Sequence, residues 1–292
     1  MKINKETNSQ LDSIITQCKS MIYQSGYRNS IVLQLSDIAF HDAVYRTFNE
    51  GLRLDRDNKN RPLIIIDLFH KYYFESQAIS IRRIFDKGKD VYSLRRIFDV
   101  IYNNSCKITR KQYLESNINT IEILSSLVMK EKQRENLNLT FDQISKVNKN
   151  NRSENDKLYF PYLESMKKYL DRRSILHEYT NSYITHSFNQ KRMNLTQKEH
   201  EKMSLKKMQY SYIDISWLAY TLSKYLGELI LFEVPIPQYD VFEGWVGSIY
   251  EKNIKRSLIT YWDKRINYFK KLERKYWFSN TMYITPYKSI IN

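Results

Sequence analysis

SIRRIFDKGKDVYSLRRIFDV, residues 80–100, carries nearly the same hexapeptide twice: IRRIFD from Ile81 and LRRIFD from Leu94, thirteen residues apart. In each copy the apolar residues fall at i, i+3 and i+4: Ile81, Ile84 and Phe85, then Leu94, Ile97 and Phe98. That spacing is one face of a helix turned toward a core, twice over. Between the copies, Gly88 is placed to close the first helix with a left-handed cap. Asp90 or Ser93 is placed to accept backbone amides at the start of the second. The stretch predicts helix, tight break, helix, and sets the fold class as all-α.

The doubled arginines have two readings. Asp86 and Asp99 lie three and four residues beyond them, so each pair is either a solvated flank held by its own aspartate or a guanidinium cluster facing phosphate or a partner. Exposed intrahelical pairs contribute only about 0.3–0.5 kcal/mol each, so stability does not demand them.

Composition agrees with helices. Six Gly and five Pro in 292 residues leave few turns, and 42% hydrophobic residues are ample for a core. Lys and Arg number 47 against 32 Asp and Glu, a net charge of +15 that attracts polyanions, nucleic acid first among them. The richness in Asn, Ile, Lys and Tyr also matches the codon bias of an AT-rich genome, which would add charge without purpose. Cys18 and Cys106 form no CxxC and no secretory leader is read, which points to a cytoplasmic protein with neither a disulfide framework nor a thiolate metal site. The most membrane-like run, Ser216–Val234, holds Lys224 and Glu228 near its middle and reads as a buried amphipathic helix. No membrane association is expected.

Outward from the hairpin, Leu11, Ile14, Ile15, Cys18, Met21 and Ile22 form one helical stripe, and residues 31–48 continue in kind. A polar loop ends at Pro62, and residues 63–86 have the length and apolar density of a core helix. Residues 145–157, almost without apolar side chains, read as a mobile surface loop. Helices resume near Pro161. Residues 234–247, with two prolines and two glycines, read as an ordered connector. The last helix has a stripe from Ile254 to Tyr276 and a basic back, with nine Lys or Arg against three acids between Glu251 and Lys275. The domain reading is therefore a helical domain over 1–235, and over 236–292 a connector and basic helix packed on the same core.

Five histidines show no HExxH and no His/Cys cluster, and GxGxxG, GxxxxGK[ST] and GxSxG are absent, so neither a metal nor a cofactor is expected. The richest polar cluster is RRSILHEYTNSYITHSF, residues 172–188. On one helix His177 and His186 fall on opposite sides, while Tyr179 and Ser182 lie within about 40° of His186 and Asn181 about 140° away. The residues themselves allow His186 to be a helix-terminal histidine bonded to backbone.

YTNSYITHS resembles the closing motif of HEPN-domain proteins, a helix carrying Arg, a polar residue such as Asn, and then Ala-His. The 79–101 block resembles the matching helix pair of the AbiU-like, abortive-infection branch of that superfamily, and PIPQYDVFEGW the segment after its last core helix. The resemblance spans about residues 60 to 250. It implies an all-α helical bundle, commonly a homodimer, a phage-defence role with an antitoxin protein as a possible partner, and metal-independent cleavage of RNA. It further implies that His186 acts as general base or acid on a ribose 2′-OH or leaving oxygen, with Asn181 and Ser182 completing the candidate catalytic set. The motif arginine falls on Thr180, which has no guanidinium. Phosphorane charge would then be met by Arg82, Arg83, Arg95 or Arg96, or by Arg172 of a second subunit, since Arg172 is about 21 Å from His186 along one helix. Arg172 and His177 also fit an R-x4-H spacing. A catalytically inactive RNA- or protein-binding module is the other reading.

Overall fold

Residues 211–226 are buried on every side except at Ile213 and Lys224, so the helix that carries them runs through the middle of the molecule. The computed structural model describes residues 3–23, 30–54, 63–118, 127–172, 197–227, 230 and 255–277. Among them are nine α-helices: α1 (Ile3–Tyr23), α2 (Ile31–Leu54), α3 (Leu63–Ile84), α4 (Leu94–Asn104), α5 (Arg110–Ile118), α6 (Leu127–Ser145), α7 (Phe160–Arg172), α8 (Gln197–Leu226) and α9 (Lys255–Trp277). No strand occurs among the described residues, only an isolated bridge between Thr109 and Lys157. The chain is an all-α helical bundle.

Helix α8 is the axis, with α1, α3, α4, α6 and α9 packed around it and α2 bridging α3 and α9. Its core face is Tyr212, Ile215, Trp217, Leu218, Tyr220 and Leu222. A helix buried all round must satisfy its own polar side chains, and this one does: the hydroxyls of Ser211, Thr221 and Ser223 each donate to the carbonyl four residues back, at 2.8–2.9 Å. Phe269 and Leu272 of α9 belong to the same core as α1, α3, α4 and α8.

Four expectations change on contact with the structure. The buried helix read through Val234 ends at Leu226, where Gly227 takes φ +67°. There the Tyr113 hydroxyl donates to the Lys224 carbonyl at 2.8 Å, and a Cβ on residue 227 would overlap the Asn117 amide, so only glycine fits. The 145–157 segment, expected to be mobile, is tied down instead. Arg152 bonds Asp142 and Glu135, Arg110 bonds Asp142 and Asp156, and the Arg110 and Lys111 amides donate to the carbonyls of Asp156 and Glu154. The anchoring acids Glu135 and Asp142 stand on the preceding helix, outside the polar run itself. Gly88 is not left-handed, because the turn closes by side chain rather than by backbone twist. Lastly, α3 is a core helix on one face only: Tyr73, Phe74, Gln77, Ala78, Ile81 and Ile84 point inward, while Leu63, Ile64, Ile65, Leu68, Tyr72 and Ile79 are exposed. A helix apolar on two opposite faces can bury only one of them against its own bundle.

Candidate functional site

The hairpin between α3 and α4 is built by two short side chains. Asp86 Oδ1 accepts the Gly88 amide at 2.8 Å, the Ser93 hydroxyl donates to the Asp86 carbonyl at 2.6 Å, and Ser93 Oγ accepts the Arg96 amide at 3.0 Å. Ser93 is thus the N-cap of α4, with extended φ and ψ of −146° and 154°. Gln34 of α2 fastens the turn to the bundle, its amide donating to the Tyr92 carbonyl at 3.0 Å.

The turn and the last two turns of α3 enclose a groove of about 620 Å³, lined by Ile79, Arg82, Arg83, Asp86, Val91 and Tyr92, with Asp90 at its edge. Arg82 is half-buried and Arg83 exposed. The second arginine pair has a different fate. Arg95 is buried, its Nε donating to both oxygens of Asp99 at 3.1 Å and its Nη2 to Asp171 at 2.8 Å, and its guanidinium lies 5.7 Å from the Phe98 ring centre. Arg96 turns back to the Val91 carbonyl at 3.3 Å. The two RR dipeptides are therefore not equivalent, and Arg95, enclosed by carboxylates of its own chain, has no face to offer a substrate.

Asp171 also accepts from Lys87 at 2.7 Å. Burial would raise its carboxyl, but the hydrogen bonds from Lys87 and Arg95 outweigh that and hold it below the ordinary carboxylate value. This junction seats the C-terminal end of α7 on the arginine hairpin, and exposed Arg172 follows directly. The structure thus brings Arg172's helix end to the same corner as the hairpin, although 76 residues separate Arg95 from Asp171. His186, Asn181 and Ser182 lie outside the described residues.

Sequence reasoning missed a second polar cluster, in the core. Asp42 of α2 is fully buried and accepts from Arg46 at 3.0 Å, from Tyr73 at 3.0 Å, from Tyr212 at 3.1 Å and from Arg265. Gln77 donates to the Tyr212 hydroxyl at 2.7 Å and to the Ile38 carbonyl at 2.8 Å. Burial raises the Asp42 carboxyl, yet the charges and hydrogen bonds of Arg46 and Arg265 win and keep it ionised, below its usual value. Burial first, and then the Asp42 charge, push both tyrosines far above theirs. A carboxylate committed to four donors, beside tyrosines that stay protonated, has no proton to trade; it ties α2, α3, α8 and α9 together. The Asp42–Arg46 spacing was the local hint, but its partners lie 31, 170 and 223 residues away. Arg265 consequently leaves the basic back of α9, where Lys264, Lys270, Lys271 and Arg274 remain exposed.

Among the described residues no group of three or more His, Cys, Asp or Glu could hold a metal ion, and no helix is long and apolar enough to cross a membrane. No protein-family model matches the chain, and it has no match among curated proteins or solved structures.

Proposed function

We propose that the chain is a HEPN-type, defence-associated RNA-binding protein of the cytoplasm, a candidate metal-independent endoribonuclease, in which the groove beside Arg82 and Arg83 receives single-stranded RNA. One observation carries the reading: an open groove with two arginines on its helix wall and a tyrosine on its floor, in a chain of net charge +15. Guanidinium groups suit phosphate oxygens, Tyr92 offers a ring face for a base, and Asp90 offers an acceptor to a base amine. Cleavage itself is assigned to His186 with Asn181 and Ser182, on the strength of the resemblance. The same resemblance supplies the homodimer, the abortive-infection role and an antitoxin as partner.

The non-catalytic reading rests on a specific residue. Thr180 stands where the motif has arginine, so the chain could keep RNA affinity without cleavage. A single experiment separates the two. Single-stranded RNA is incubated with the protein in EDTA, and cleavage that disappears in His186→Ala but not in a surface control supports the nuclease. Binding without cleavage, equal in wild type and His186→Ala and weakened by Arg82→Ala with Arg83→Ala, supports the binding module. Absence of binding at roughly 50 mM salt, where phosphate contacts are strongest, removes both.

A further inference from the structure

The outward face of α3 is an apolar surface that the fold does not use. Ile64, Ile65, Leu68, Tyr72 and Ile79 fall within about 100° of one another on the helix, opposite the inward-facing Tyr73, Gln77, Ile81 and Ile84. Ile64 is 78% exposed and Tyr72 63%, values at which each side chain stands in water. From Ile64 to Ile79 the stripe is about 22 Å long, and a continuous patch of this kind marks an interaction site.

We propose that a second copy of this chain covers the stripe, the two α3 helices packing antiparallel about a two-fold axis. The spacing is self-complementary. Setting Leu68 against Ile79 of the second copy, and Ile79 against its Leu68, brings Tyr72 near the axis and covers Ile64 and Ile65 with the far end of the opposite helix. Lys71, exposed, and Glu75, half-buried, lie on the same edge of the stripe. A two-fold axis across antiparallel helices puts like edges side by side, so Lys71 meets Glu75 of the second copy twice over. The acid at the edge of the stripe also argues for a protein surface over lipid chains, which would leave that carboxylate without a partner. A 22-residue helix face falls short of the roughly 800 Å² per partner of standard interfaces, so association is expected in the micromolar range. The inference names a surface for the homodimer of the preceding reading but depends only on α3, and it does not involve the groove.

Sedimentation equilibrium tests it from about 1 to 100 µM. Wild type is expected to be dimeric at the upper end, and Leu68→Glu with Tyr72→Glu monomeric throughout, with unchanged helical circular dichroism and thermal midpoint. Lys71→Glu should weaken the dimer several-fold, and adding Glu75→Lys should restore it. Leu139→Glu, on the exposed face of α6, should change nothing. A monomeric wild type at the highest concentration overturns the proposal, as does a dimer that survives the double glutamate or a charge swap that fails to rescue. So does a monomer that floats with phosphatidylserine vesicles through this face, which would assign it to a membrane. RNA binding, measured on the double-glutamate variant, reports separately on the groove.

Discussion

Two arginine-rich corners of this molecule look alike in sequence and behave differently in space. Around the 145–157 connector, Arg110 and Arg152 are closed in by Asp142, Asp156 and Glu135, and Arg110 lies 4.9 Å from the centre of the Phe141 ring. At the end of α3, Arg82 and Arg83 border an open groove. The first corner is a fastening and the second a surface. What separates them is where the carboxylates stand: three converge on the connector's arginines, whereas at the hairpin Asp171 and Asp99 are taken by Arg95, and Asp86 closes the turn.

The sharpest way to break this contrast is to cut the fastening. Arg110→Ala should cost about 3–5 kcal/mol, because it leaves Asp156 and part of Asp142 without their buried cation. Urea denaturation checks it, and a loss under 1 kcal/mol would mean that the connector does not depend on the arginine. Asp42→Asn tests the interior cluster through pH. The folded pKa of Asp42 lies below its unfolded value, so its contribution is present above the ordinary carboxylate range and is lost as pH falls through the lower, folded value. The variant should be less stable at neutral pH and show a shallower acid limb, read from urea midpoints between about pH 7 and 2.

Lys224 gives a smaller effect of opposite sign. Burial drops its pKa to about 8, with its ammonium against the Gln143 amide oxygen and 4.8 Å from the Tyr220 ring centre. Between that value and the ordinary 10.5 the unfolded chain binds more protons than the folded one, so stability should rise with pH across the interval. Lys224→Met should flatten that rise. The smallest stability change is expected at the open corner: Arg83→Ala should alter the unfolding free energy by no more than about 0.5 kcal/mol. Its effect belongs in RNA titrations, as a several-fold loss of affinity and a salt slope lower by about one. An Arg83 variant that unfolds readily would make the two corners alike after all.

Ser93 as N-cap and the repeated i, i+3, i+4 stripes were legible because capping and helical periodicity are settled within one or two turns of chain. Gly88 was legible as a break but not in its conformation, since the turn is closed by Asp86, a neighbour with more than one use. The fates of Arg82 and Arg95 were not legible. Both open an identical RRIFD, and only Asp171, brought in by α7, distinguishes them. The Asp42 cluster was hidden for the same reason, its donors coming from four helices.

The sequence by itself determined that this chain is helical, where most of its helices lie, and that it carries a large positive charge, because these follow from local spacing and from counting. Only the tertiary structure decided which arginines are neutralised, which polar run is fastened and which apolar face is left in water. Those outcomes depend on contacts between residues far apart in the chain, and a local pattern holds no record of which distant side chain will arrive.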